Sequence, residues 1–209
     1  MYIIFDIETS GLVPYLDQIL TGYFIKCDKD LGVIDELAIT IVAQCSKKYW
    51  NLEAQAVHGI TWAVAKDFDQ KEYSFNKLDR FINEGDILVC FANYNNQKLG
   101  KYYFDIAFVK ALFDEMKWHG YFYSKVKECM SVHTIIKDYS DTIKKKTLAG
   151  VCEHFKIEMS KHHDAKSDAI AAMEILLKLK EKNVQLSKYH ETMLDLKKII
   201  DLEVREVYV

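Results

Sequence analysis

The apolar run Tyr2-Ile3-Ile4-Phe5 ends in Asp6-Ile7-Glu8, and this junction constrains the chain more than any other part of it. Four apolar residues followed by an acid, an isoleucine and a second acid read as a core strand whose end carries charge, and residues two apart on a strand point the same way. Two carboxylates side by side at a buried strand end repel each other and are poorly solvated unless a cation or a proton compensates. The pairing predicts a divalent-cation site. The alternative is an ordinary strand end with two solvated acids.

At 209 residues, half of them apolar and 13% aromatic, the chain can bury one sizeable core, which predicts one domain with a terminal extension. With 28 basic and 31 acidic residues the net charge is −3, which excludes the strongly basic profile of a protein that coats nucleic acid electrostatically. The five cysteines are scattered and form no CxxC pair, so neither a zinc knuckle nor a disulfide framework is expected. No basic leader with an apolar segment, no membrane-length apolar stretch, no Gly/Ser-rich linker and no repeat is present, so a soluble cytoplasmic protein without membrane contact is expected.

Hydrophobic patterning predicts strands over residues 2–8, 19–27 and 35–44, then a helix over 75–83 feeding a buried strand over 86–91. A helix over 105–116, a weaker strand over 126–134, helices over 147–155 and 165–182, and a last helix from Ser187 follow. Three antiparallel strands followed by alternating helix and strand give a mixed α/β sheet, whose sites lie at the carboxyl ends of its central strands. Asp6 and Glu8 occupy such an end.

Two further acids stand in awkward places: Asp105 opens an apolar helix after Tyr102-Tyr103-Phe104, and Asp168 falls in the first turn of the helix after His163. Asp105 could otherwise be a helix N-cap, and Asp168 a first-turn acid that gains from the helix dipole. If the four converge, two divalent ions roughly 3.5 to 4 Å apart could activate a water and stabilise the entering and leaving oxygens of a phosphodiester. An all-carboxylate shell suits Mg²⁺ or Mn²⁺. His163, five residues before Asp168, is placed to take the proton from that water.

Taken together, Phe5-Asp6-Ile7-Glu8-Thr9-Ser10-Gly11-Leu12, Phe104-Asp105 and His163-Asp164-Ala165-Lys166-Ser167-Asp168 resemble the three motifs of the DEDDh (DnaQ-like) 3′–5′ exonucleases, in the same order. Val57-His58-Gly59-Ile60-Thr61 is similar to the segment these enzymes carry after the third strand. The resemblance spans residues 1–182 and implies a ribonuclease H-like five-stranded mixed sheet with helices on both faces. It also implies that Asp6, Glu8, Asp105 and Asp168 hold two Mg²⁺ or Mn²⁺, that His163 is the general base, and that Leu12 and His58 lie near the terminal nucleotide. The activity it implies is 3′–5′ release of nucleoside 5′-monophosphates from single-stranded DNA, with a DNA-repair role. RNA, as for the RNase T and oligoribonuclease relatives, is the alternative substrate.

The chain departs from the family around residues 97–103, an insertion whose lysines and tyrosines could meet phosphates and bases or form an ordinary exposed loop. His162 beside His163 leaves two registers, of which spacing favours His163. His133 and His154 are read as structural, and Lys144-Lys145-Lys146 as solvated surface. The extension, 183–209, carries an apolar stripe expected to dock on this domain, with a second copy or a polymerase as alternative partners. A non-catalytic nucleic-acid-binding subunit is the competing function; it would be expected to have lost one of the five chemical residues, and all are present.

Overall fold

Strand β1 (Tyr2–Thr9) runs through the middle of the sheet, paired antiparallel with β2 (Ile19–Cys27) on one side and parallel with β4 (Ile87–Cys90) on the other. The computed structural model describes residues 1–92, 94–96, 100–118, 120–139, 143–159 and 163–193, with 94–96 and 100–102 described by their backbone alone. β3 (Val33–Thr40) continues the antiparallel side beyond β2. Helices α1 (Leu52–His58), α2 (Trp62–Ala65) and α3 (Lys71–Phe81) then lead to β4. A hairpin of β5 (Tyr94–Asn96) and β6 (Gly100–Tyr102) precedes α4 (Phe104–Met116) and α5 (Tyr121–Lys125). The chain returns through β7 (Glu128–Ser131), α6 (Val132–Tyr139), α7 (Leu148–Phe155), α8 (Ala165–Glu181) and β8 (Glu191–Thr192). The sheet order is β3-β2-β1-β4-β7-β8, so the expected five-stranded mixed sheet is present with a two-residue sixth strand at its edge.

The alternation of β1 divides the core. Ile3, Phe5 and Ile7 face the layer of α3, α4 and α5, where Phe75, Leu78, Phe108 and Phe113 are buried. Tyr2 and Ile4 face α6, α7 and α8. Ala165, Ala169 and Ala172 lie on the buried side of α8 together with Ile175, Leu176 and Leu179, so small side chains bring the start of this helix close to the sheet. By the same alternation Asp6 and Glu8 share the α8 face.

Three expectations need correction. Residues 126–134 are not one strand: β7 stops at Ser131, whose Oγ accepts the Thr134 amide at 3.3 Å and caps α6, so His133 sits in a helix. Residues from Ser187 do not form a helix over the part described. Leu186–Tyr189 is a 3₁₀ turn, and Glu191–Thr192 takes the open edge of β7, with the Met193 amide donating to the Lys127 carbonyl at 2.8 Å. Pairing an exposed strand edge satisfied more backbone groups than a lone amphipathic turn would. Leu186 and Met193 are buried, so this part does dock on its own domain, while 194–209 lie outside the described residues. Third, Tyr103, in the insertion read either as a substrate contact or as an exposed loop, is 1% exposed and belongs to the core. Residues 97–99 and the neighbouring side chains lie outside the description.

Candidate active site

The end of β1 is irregular where it matters: the register with β2 shifts between Glu8 and Thr9, the kind of local bulge that re-aims side chains at sheet ends. On the α8 side, Asp164 is the N-cap, its carboxylate accepting from the Ser167 amide at 3.2 Å and the Ser167 hydroxyl at 3.1 Å. This fixes the start of α8 and sets Asp168 one turn in, at the positive end of the helix. Carboxylate oxygens of Asp6, Glu8 and Asp168 lie within 4.8 Å of one another. Asp105 stands in the first turn of α4, and the N-cap there is Tyr103, so Asp105 is not itself the cap. It is 7% exposed and lines the same cleft of about 520 Å³ as the other three acids, His163, Leu12 and His58. The structure thus brings all seven sequence-predicted residues to one place.

Their charges are in conflict. Enclosure, followed by the charges of Asp105, Asp168, Glu8 and Asp164, pushes the Asp6 carboxyl well above the ordinary range. Burial raises Asp105 to about 7, against a partial offset from its own backbone amide. Acids in such a state bind protons in place of a cation, and an oxygen-only donor set of this kind fits hard divalent ions such as Mg²⁺ and Mn²⁺. His163 is exposed at the mouth, with a left-handed backbone (φ 55°) that turns the chain into α8.

One wall comes from the loop after β1 and from α1. Leu12 is 78% exposed, and its loop is tied down by Asp17, which accepts the Val13 amide at 2.9 Å. A Cβ at Gly11 would fall 2.3 Å from an Asp17 oxygen, so a side chain there would displace the carboxylate that ties the loop. His58 ends α1, a helix capped by Asn51 through the Glu53 and Ala54 amides. Burial, aided by His163 and opposed by the Thr9 backbone, holds the His58 pKa below its ordinary value.

The cleft also contains residues that sequence reasoning set aside. Phe91 and Ala92 follow β4, His133 opens α6, and Lys146, Thr147 and Leu148 lead into α7. The signal for His133 was the Ser131 cap; nothing in the lysine run singles out Lys146. His154 is exposed on α7, against the Phe155 ring, and does not line the cleft. His162 and Asn93 lie outside the described residues.

A mixed sheet with this strand order and acids at the carboxyl end of its central strand defines a ribonuclease H-like α/β protein. The family model described as Exonuclease matches residues 3–176. The chain belongs to that family, in its DEDDh, DnaQ-like branch. No curated protein matches the sequence. Among solved structures, a zinc-bound E. coli ExoI–ssDNA complex superposes with a TM-score of 0.70 at 17% identity over 90% of this chain and 42% of that one. E. coli exonuclease I with a dT13 oligonucleotide gives 0.70 at 18% identity, covering 86% and 40%. An ExoI/SSB-Ct complex gives 0.65 at 17% identity, covering 86% and 41%. The chain spans about two fifths of the length of these structures. Among the described residues, no helix is long and apolar enough to cross a membrane.

Proposed function

We propose that this protein is a metal-dependent 3′–5′ exonuclease that releases nucleoside 5′-monophosphates from single-stranded DNA ends. The observation that carries the reading is the convergence of Asp6, Glu8 and Asp168 within 4.8 Å, with Asp105 lining the same cleft and coupled by charge to Asp6. The four acids are the residues that would hold two Mg²⁺ or Mn²⁺. When bound, such ions lower the pKa of water and stabilise the charge that builds on the entering and leaving oxygens of a phosphodiester. His163, at the mouth of the cleft, accepts the proton of the attacking water. Leu12 packs against the terminal base and His58 holds the terminal nucleotide, which sets the 3′ end over the acids. Residues 1–182 form the exonuclease domain and 183–209 an extension to it. The DNA preference is supported by the fold shared with exonuclease I bound to dT13.

The test is digestion of single-stranded and duplex DNA and RNA, labelled separately at each end, with Mg²⁺, Mn²⁺ or EDTA. Metal-dependent loss from the 3′ end of single-stranded DNA is expected. Asp6→Ala and Asp168→Ala should abolish it while the domain stays folded. Parent-rate digestion by either variant removes the site assignment, preference for RNA moves the substrate, and binding without cleavage in every metal overturns the enzyme reading.

A further inference from the structure

Lys146 is the member of the Lys144-Lys145-Lys146 run that lines the acid-bearing cleft, and its position is built in. Gly150 in the first turn of α7 admits the segment: a Cβ there would lie 2.5 Å from the Lys145 carbonyl oxygen. Thr147 closes the turn by accepting the Gly150 amide at 3.2 Å. From this turn the Lys146 ammonium reaches to 3.5 Å from the Lys137 carbonyl on α6, one helical turn from His133 and on the same face. Among the described residues Lys146 forms no ion pair. His133 lies over Phe91, ring centroids 6.1 Å apart, and lines the cleft as well.

Strand order gives the direction. β7, which feeds His133, is two strands from β1, so its end lies roughly 10 Å from the Asp6–Glu8 end. Leu12 approaches from the loop after β1 and His58 from the end of α1. A strand whose terminal nucleotide rests on Leu12 and His58, with its scissile phosphate at the acids, continues toward His133 and Lys146.

We propose that Lys146 and His133 form a second subsite that holds the 5′-phosphate of the penultimate nucleotide of a single-stranded substrate. This rests on the exonuclease reading for the direction of the strand. A cation is well placed at that point, because the acids at the other end repel the polyanion and the next phosphate needs its own counter-charge. His133 contributes a neutral N–H: burial, then Lys137 and Lys146, lower its pKa, so it donates without adding charge.

The experiment measures binding of 5′-fluorescein-labelled (dT)8 by anisotropy in Ca²⁺, and of dTMP by competition, for the parent, Lys146→Ala, Lys146→Arg, His133→Ala and the exposed control Lys144→Ala. Loss of one charge-assisted phosphate contact should weaken (dT)8 about tenfold in Lys146→Ala, with Lys146→Arg close to the parent. His133→Ala should weaken it about threefold. The slope of log Kd against log salt should fall by about 0.7 in Lys146→Ala, the value for one phosphate on a single strand. dTMP, which lacks the second phosphate, should weaken less than about twofold. Equal loss for dTMP and (dT)8, unchanged (dT)8 affinity in Lys146→Ala, or no (dT)8 binding by the parent overturns the subsite. If the parent binds but never cleaves in Mg²⁺ or Mn²⁺ and Lys146→Ala still loses tenfold, the subsite stands and the nuclease reading falls.

Discussion

The Nδ1 atom of His58 accepts the Ile60 amide at 3.0 Å, so the neutral imidazole carries its proton on Nε2. One ring therefore closes the turn after α1, while its other nitrogen is buried beside the Thr9 backbone. His58→Asn retains an acceptor near the Nδ1 position, whereas His58→Gln does not. His58→Gln should lose about 1 kcal/mol in urea unfolding through the abandoned Ile60 amide, and His58→Asn much less. The pKa is lower folded than unfolded, so this group's contribution is present above about pH 6.5 and lost as pH falls. The parent should lose more stability than His58→Asn between pH 7.5 and 5.5.

Asp105 works in the opposite direction. Its folded pKa, about 7, is above the unfolded value, so its contribution is fully present below about pH 4 and is lost as pH rises through 7. Asp6 shares this sign. The metal-free protein should melt lower at pH 8 than at pH 6, and Mg²⁺ should raise Tm more at pH 8, where the acids are ionised. Asp105→Asn should flatten the metal-free pH dependence. A Mg²⁺ shift that is equal at both pH values counts against the acids as ligands.

His163 has a left-handed backbone, which asparagine tolerates and most side chains resist. His163→Asn should therefore keep the turn into α8 while removing the proposed base. The expected loss is about 10²- to 10⁴-fold in kcat, with the Mg²⁺-induced rise in Tm preserved. A variant as fast as the parent would assign the proton transfer to another group.

Far from the cleft, the buried Lys26 ammonium is 3.1 Å from Asp86 and donates to the Phe81 carbonyl, while Asp86 also accepts the Asn83 amide at 2.9 Å. Asp86→Ala leaves a buried cation without its counter-charge and should cost about 3–5 kcal/mol. Lys26→Met paired with Asp86→Asn should cost less. Equilibrium unfolding compares them, and a double variant no better than Asp86→Ala would show the ion pair is not the source of the loss.

The long periodic segments were legible in sequence. β1, β2, α4 and α8 fall within two residues of their predicted bounds, because each carries an apolar pattern that packing then confirms. Short helices were missed where capping rather than periodicity decides: Asn51 starts α1 and Ser131 starts α6, each with a polar side chain that a count of apolar residues passes over. The edge strand β8 was invisible, since a two-residue pairing depends on the free edge of β7 and not on its own sequence. In the site, the acids could be read because their positions defied the local pattern. Lys146 could not, because a lysine facing a cleft and a lysine facing water look identical until α6 and α7 are placed.

The acids of the pocket come from residues 6, 8, 105 and 168, on β1, α4 and α8. No contiguous half of the chain contains them all, so the proposed ion capture must wait until the two ends of the domain meet. Cation titrated into refolding protein would thus act as a completion gauge, bound last, after helix content has recovered. A fragment that stops short of residue 163 would lack the gauge altogether, however native its sheet.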